Sequence, residues 1–443
     1  MTDNRTRPNT RHEAPLPRVL LIAPWHPQAV PGGSQLVAYW LFNALHRSRT
    51  HTPYFLAGLP HTSPIWSRRQ SIRRFHAETN EYVFRTSAYD HFWQRNDDLA
   101  LVESFSRFLM RIKPDIVNFH HFSNLGVEFL SLTRRLLPDA RIVMSLHDSL
   151  ALCAADGRMI KRHGGKACQG ASPRACRRCF PEHPEDLTAV RKQWFLGHLS
   201  AADACVTVTR TSLAQYEQWG LPGARLEVIE NGIPSRRKPR AARATTSSPV
   251  VIGYFGQLVD SKGLGTLLTV ASRLAIENAQ RIRIELNGDN LDFASEPLQS
   301  RFKAMITLDD VATRTENRII RYNGPYDAHN VMTKMQRVDW VIIPSIVPES
   351  YCLVLSEAWA CSRPVIVADA GALGARVTDG DNGVKFPPGN ADALHALLTQ
   401  VARDPQLART IKAAIRPPRT VGAMLTEYRA LYDRLAAPPP EAS

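Results

Sequence analysis

Short apolar runs of five or six residues alternate along this chain with longer stretches whose apolar positions recur at helical spacing. The first run, Val19-Leu20-Leu21-Ile22-Ala23, passes through a Pro/Gly turn into a helical stretch from about Ser34 to His46. Further runs at Pro114 to Phe119, Arg141 to Leu146 and Ala204 to Thr209 each end in polar or turn-forming residues. A repeated run-then-helix pattern predicts parallel strands covered by helices. After Val228 to Ile233 the composition changes abruptly. Ser235-Arg236-Arg237-Lys238-Pro239-Arg240 and the small residues up to Pro249 read as a linker. A second series follows, with strands expected at Val250 to Phe255, Arg281 to Leu286, Arg318 to Tyr322, Trp340 to Pro344 and Pro364 to Val367.

The expected fold class is α/β: two doubly wound, Rossmann-like domains over residues 18–233 and 250–416, joined by a linker over 234–249. Such sheets bind ligands beyond the carboxyl ends of their strands, which puts the site in the cleft between the domains. Beyond Pro417 and Pro418, the segment to residue 436 is expected to return toward the first domain as a helix from about Val421 to Leu435. Residues 1–17 are expected to form a disordered leader and 437–443 a frayed tail.

Length and composition agree with two folded domains, since 443 residues exceed one ordinary core and 44% apolar with 22% charged residues is globular usage. No apolar stretch approaches the roughly 18–20 residues of a membrane span, and the polar N-terminus lacks a signal-peptide core. The expected location is the cytoplasm. The net charge of +14 favours anionic partners such as phosphates, acidic lipid or nucleic acid. It does not choose among them, and because only ten of the 55 basic residues are lysine, GC-rich coding is an equal explanation.

The chain contains neither G-x-G-x-x-G nor a lysine followed by Ser or Thr, so dehydrogenase and P-loop readings fall away. The segment Val347 to Ile366 carries more chemistry: it follows a buried run, opens a helix near Leu353 and turns into another buried run. Free amides and the positive end of the helix dipole suit a sugar phosphate. Glu349 and Glu357 stand in an E-x7-E arrangement. Eight helical residues rise about 12 Å, beyond the roughly 5–9.5 Å between hydrolytic carboxylates. Acceptors for a sugar hydroxyl and a ribose fit better; two solvated helix carboxylates are the alternative. In Gly253 to Leu264, a strand and turn deliver Lys262, either a counter-charge for a diphosphate leaving group or a surface lysine. Pro31-Gly32-Gly33-Ser34-Gln35 offers close backbone approach to a phosphate, or ordinary turn chemistry.

From about Arg18 to Leu435 these segments together resemble glycosyltransferase family 4, retaining enzymes of the two-domain GT-B architecture. The resemblance rests most firmly on the Glu349 to Glu357 segment with its following Ala-x-Ala-Cys and Pro-Val. It implies that Glu349 contacts donor-sugar hydroxyls, that Glu357 contacts the ribose, and that the backbone of Ser350, Tyr351, Cys352 and Leu353 serves the sugar and phosphates. The family's basic pair falls on Gln257 and Lys262; Lys262 matches, whereas Gln257 replaces a more usual arginine and removes one positive charge. Gly33 matches the N-terminal glycine loop. His147 falls where the family places a histidine beside the transferred sugar, although a histidine after a strand can equally be hydrogen-bonded structure. Cys352 and Ser362 stand where glycine is common.

The resemblance therefore implies a hexosyltransferase with His147, Lys262 and Glu349 as catalytic residues and no catalytic metal or required cofactor. A sugar would move with retention from a nucleotide diphosphate sugar to a saccharide or lipid-linked acceptor, in cell-surface polysaccharide or glycolipid synthesis. Peripheral contact with an anionic membrane at its inner face is expected, and nucleic acid is not an expected partner. Rival readings are an inactive GT-B protein that binds anionic lipid or nucleic acid, and a GT-B isomerase or phosphorylase. Cys153, Cys168, Cys176 and Cys179 lie in a Cys-rich insertion over about 151–182, among Arg162, Arg174, Arg177 and Arg178. Four thiolates there could hold a structural zinc, or remain free thiols or a redox-labile bridge. Its arginines are read as a lipid-phosphate site or as a solvated basic face.

Overall fold

The computed structural model describes residues 15–63, 66, 71–235, 249–277, 279, 281–311 and 319–437. Most of the expected leader, linker and tail lie outside these residues. Two sheets carry the fold. The first contains β1 (Arg18–Ala23), β2 (Thr52–Gly58), β3 (Ile72–Arg74) and β4 (Glu81–Phe84). After a small ribbon of β5 (Tyr89–Asp90) and β6 (Arg95–Asn96), it continues with β7 (Ile116–Phe119), β8 (Arg141–Leu146), β9 (Ala204–Thr207) and β10 (Leu226–Val228). The order is β10-β9-β8-β7-β1-β2-β4-β3, parallel apart from the β3–β4 edge. The second sheet comprises β11 (Val250–Phe255), β12 (Ile282–Asn287), β13 (Ile320–Tyr322), β14 (Trp340–Ile343), β15 (Val365–Ala368) and β16 (Val384–Phe386). Its order is β13-β12-β11-β14-β15-β16, parallel throughout.

In each sheet the strand order switches sides, between β1 and β7 and between β11 and β14. Crevices open at such reversal points because the flanking connections leave toward opposite faces of the sheet. The strands bordering them are apolar on both faces: Val19 to Ile22 and Val341 to Ile342 are fully buried, because helices cover both sides.

The C-terminal helix Val421–Ala436 does not stay with the second sheet. Its Met424, Tyr428, Leu431 and Tyr432 join Val19, Leu21, Leu41 and Val143 in the core of the first half. Thr420 caps the helix, its side chain accepting from the Ala423 amide at 3.2 Å. Just before the cap the chain pairs with the end of the first half: the Ile233 amide donates to the Arg419 carbonyl (3.0 Å) and the Val421 amide to the Ile233 carbonyl (2.9 Å). A Cβ at Gly232 would stand 2.2 Å from the Thr420 carbonyl oxygen, so only glycine fits this crossing. Under the helix, the Asn118 amide donates to the Tyr432 hydroxyl (2.7 Å), the Ser145 hydroxyl to Asn118 Oδ1 (3.0 Å), and Tyr428 meets Ser145 at 3.0 Å. Among the described residues no helix is long and apolar enough to cross a membrane.

This buried network fixes the helix by satisfying polar groups that water cannot reach. Tyr432→Phe leaves the Asn118 amide without its acceptor and is expected to cost about 1–3 kcal/mol in urea denaturation. An effect below about 0.5 kcal/mol would mean that the contact contributes nothing to docking.

Candidate functional site

The loops that leave the two reversal points meet in the cleft. On the first sheet β1 leads to Gly32 and Gly33, β7 to His120 and His121, and β8 to His147. On the second, β11 leads to Gln257 and Lys262, and β14 to Ser345, Glu349 and the helix Leu353–Ala360. A Cβ at Gly33 would lie 3.6 Å from Leu353 Cδ1, which puts the glycine turn directly against the start of that helix.

Lys262 Nζ donates to Glu349 Oε1 at 2.6 Å, and Ser345 Oγ donates to the same oxygen at 2.7 Å. Ser345 is buried, and Glu349 is 14% exposed. Burial alone would raise the Glu349 pKa, but the Lys262 ammonium and the two hydrogen bonds outweigh it and hold the carboxyl below its usual range. Lys262 is pulled in opposite senses as well: burial lowers its pKa, and Glu349 reverses the sign. Local backbone geometry delivers the pair. Gly263, at φ 75°, has its absent Cβ 1.8 Å from the Pro344 carbonyl oxygen, so the lysine turn closes against the end of β14 only with glycine. Glu349 is pinned by its carbonyl, which accepts from the Ala372 amide at 2.8 Å.

The turn after Glu349 is tied to both halves. Ser350 Oγ donates to the His147 carbonyl at 2.5 Å, and Thr209 Oγ1 donates to the Ser350 carbonyl at 3.3 Å. The Tyr351 hydroxyl donates to the Asn231 carbonyl at 2.6 Å. Arg376 donates to the carbonyls of Tyr351 (2.6 Å) and Cys352 (3.2 Å), and to Ser356 Oγ (2.8 Å). Cys352 adopts φ 68° and Ser362 φ 51°, both in the region that favours glycine. The positions where glycine is common thus keep the backbone that glycine prefers, without the glycine.

Glu349 is not on the helix, whose first residue is Leu353. The 12 Å separation expected from eight helical residues therefore does not apply, because the first four residues form a turn. Glu357 lies in the helix, 7% exposed, and acts on the Tyr326 hydroxyl, which burial chiefly and Glu357 further push upward in pKa. Gln257 is exposed; its carbonyl accepts from the Tyr254 hydroxyl at 2.5 Å.

His147 Nε2 lies 2.9 Å from His120 Nδ1, and the rings stack with centroids 5.2 Å apart. Burial chiefly pushes His147 down to about 3, so its imidazole is neutral. His120 Nε2 is buried without a hydrogen-bond partner among the described residues. An orphaned lone pair is easier to tolerate than an orphaned N–H. We therefore assign the His120 proton to Nδ1, donating to His147 Nε2, which leaves the His147 proton on Nδ1. Nearby, the Ser123 amide donates to His121 Nδ1 (2.9 Å), so His121 donates through Nε2 to Asp148 (2.9 Å). The sequence reading missed His120, Ser345 and Arg376. Two histidines closing neighbouring strands were a usable signal for the first; the others had none.

A small pocket opens beside Glu349, lined by Ser149, Thr211, Ser212 and Gln215 from the first half and by Ser350 and Gly371 from the second. Farther out, Cys153, Cys168, Cys176 and Cys179 line one cavity in the insertion and are free thiols. Among the described residues no three His, Cys, Asp or Glu side chains are gathered so as to hold a metal ion.

The depressed Glu349 pKa makes the ionised form stabilising: its contribution is complete above the unfolded glutamate value of about 4.3 and is lost as pH falls through the lower folded value. Lys262→Met is expected to destabilise the protein at pH 7 by about 1–3 kcal/mol, between an exposed and a fully buried pair. Denaturation at several pH values should show the deficit shrinking toward pH 4 as the uncompensated carboxyl takes up a proton; a pH-independent deficit would remove the ion pair as its cause. Ser362→Gly, by relieving the left-handed backbone, should raise stability by about 1 kcal/mol in the same assay.

Residues 31–237 match the family described as Glycosyltransferase Family 4, and residues 235–416 match Glycosyl transferases group 1. Curated relatives include glycogen synthase of Mycobacterium tuberculosis (strain ATCC 25618 / H37Rv), 29% identical over 216 residues, covering 48% of this chain and 49% of that protein. Another is D-inositol 3-phosphate glycosyltransferase of Kribbella flavida, 26% identical over 231 residues, 49% of this chain and 51% of that one. The chain thus spans about half the length of the curated relatives it matches. Among solved structures, sucrose-phosphate synthase from Thermosynechococcus elongatus has a TM-score of 0.66 at 16% identity, covering 95% of this chain and 99% of its own. HepE from Anabaena, solved in complex with UDP, has a TM-score of 0.61 at 18% identity, covering 94% and 100%. At that identity the likeness is one of fold, the GT-B pairing of two Rossmann-like domains. With the two family matches running in tandem over residues 31–416, the chain belongs to the group 1 glycosyltransferases of GT-B type.

Proposed function

We propose that this protein is a retaining glycosyltransferase that takes a hexosyl group from a nucleotide diphosphate sugar. The observation that carries the reading is the convergence of Lys262, Glu349 and Ser345 after β11 and β14, just ahead of the helix whose first residue, Leu353, meets the Gly33 turn. Among the described residues, the hydrogen bonds to the Glu349 carboxylate from Lys262 and Ser345 both fall on Oε1, and Oε2 is the oxygen we assign to accept from a donor-sugar hydroxyl. Glu357, farther along the helix, serves the ribose. The backbone of Ser350 to Leu353 and the opening of the helix serve the phosphates, with Gly33 allowing close approach. Lys262 opposes the charge that develops on the leaving diphosphate.

The acceptor enters from the first half, where Ser149, Thr211, Ser212 and Gln215 line the pocket beside Glu349. Its hydroxyl oxygen bonds to the anomeric carbon on the face the diphosphate leaves, the bond from that carbon to the phosphate oxygen breaks, and the leaving phosphate takes the hydroxyl proton. A neutral His147 offers an Nδ1–H to the transferred sugar without adding charge. No metal is assigned a role in this transfer. UDP-glucose, bound in one HepE structure, is the first donor to test, with UDP as the expected leaving nucleotide. We place the reaction in the cytoplasm, on a saccharide or lipid-linked acceptor for a cell-surface product. Exposed Arg162, Arg174 and Arg178 offer peripheral contact to an anionic membrane.

Thermal unfolding against UDP-, GDP- and ADP-sugars tests the donor directly. A ligand at about 100 times its Kd adds roughly 2.7 kcal/mol of stability. One donor should stabilise the wild type, and the gain should vanish in Glu357→Ala and Lys262→Ala. Stabilisation of all three proteins alike, or of none, would remove these residues from the donor site.

A further inference from the structure

Arg376 ends the short helix Gly371–Arg376, and its guanidinium bonds both the turn that precedes the Leu353–Ala360 helix and the first turn of that helix. It bonds two successive carbonyls, Tyr351 and Cys352, and the Ser356 hydroxyl, and it lies 4.0 Å from the centre of the Tyr351 ring and 5.5 Å from that of Trp359. In a trans peptide the carbonyl and the following N–H point in opposite directions. Turning both carbonyls toward Arg376 therefore turns the Cys352 and Leu353 N–H groups away from it. Leu353 is the first residue of the helix, where amides have no partner within the helix. Cys352 at φ 68° is a conformation that costs about 1–3 kcal/mol and persists only when its surroundings impose it. The bidentate contact from Arg376 is such an imposition.

The charge is placed as well as the geometry. Burial chiefly and the Glu349 carboxylate next raise the Cys352 thiol, while Lys262 and Arg376 both oppose them, so Arg376 adds a second cation to the Lys262–Glu349 pair around this one residue. Gln257, on the same side of the second sheet, is exposed and uncharged.

We propose that Arg376 is a positioning residue for the donor diphosphate: it fixes the peptide planes on both sides of Cys352 so that their N–H groups face the phosphates, and it keeps a second positive charge beside that turn. The inference rests on the donor reading above and deepens it. Arg376 acts on the phosphates through the backbone, so its removal weakens ligands that carry a diphosphate and spares those that do not.

Calorimetric titration of the full chain separates the two ideas. The probes are UDP, GDP and ADP, and the nucleoside of whichever diphosphate the wild type binds. Arg376→Gln is expected to weaken the diphosphate on the order of tenfold or more, as befits lost charge-assisted bonds, while nucleoside affinity stays within about twofold. Arg376→Lys keeps the charge but cannot span both carbonyls and Ser356, and should give a smaller diphosphate-selective loss; it carries the test if the glutamine variant fails to fold. Diphosphate affinity unchanged in the variants, or an equal loss for diphosphate and nucleoside, overturns the role of Arg376. A wild type that binds none of the three diphosphates overturns the donor reading itself.

Discussion

A carboxylate withdrawn from water needs a counter-charge, and the second half of the cleft is arranged around meeting that need for Glu349. Lys262 comes from the loop after β11 and Ser345 from the end of β14, neighbouring strands at the reversal of the sheet. Because the pair is only partly shielded, with Lys262 31% exposed, solvent can still reach the ammonium and an incoming anion can compete for it. The interaction thus keeps the acid ionised and the base charged while leaving both available. Gly263 and Gly371 permit the close backbone passages that bring the two loops within reach.

The same turn also joins the halves. Ser350 reaches the His147 carbonyl, Thr209 reaches back to Ser350, and Leu353 packs against the glycine turn and both neighbouring cores. A displacement of one half relative to the other must therefore disturb the residues that follow Glu349. The neutral His120–His147 stack adds stiffness beneath the first half of this junction without introducing a charge that would need its own partner.

Much of the fold was legible because buried parallel strands leave uninterrupted apolar runs, and Val19 to Ala23, Arg141 to Leu146 and Val250 to Phe255 are such runs. The pattern was silent where strands are short or begin awkwardly: β2 starts Thr52-Pro53-Tyr54, and β16 has three residues with Lys385 in the middle. Local chemistry brought Glu349, Glu357 and Lys262 to notice, and the family resemblance His147, but not their partners. Lys262 and Glu349 are 87 positions apart, and only the β11–β14 pairing makes them neighbours. Arg376 is one arginine among many until its donors are traced to the Tyr351 and Cys352 carbonyls. The positive φ values of Cys352 and Ser362 cannot be read from a cysteine and a serine, which seldom take them.

The crossing at Gly232, where the chain leaving the first half pairs with the chain returning to it beside Thr420, bears on how such proteins can be recombined. Although the Val421–Ala436 helix comes last in the chain, its partners are Asn118, Ser145 and the core of the first half. A chimera cut once, in the linker, would graft a foreign helix onto this half and strand its own. The unit that can be exchanged intact is the internal cassette between Ile233 and Arg419, with both seams placed on the paired segment. Inheritance of a new second half is thus an insertion rather than a fusion.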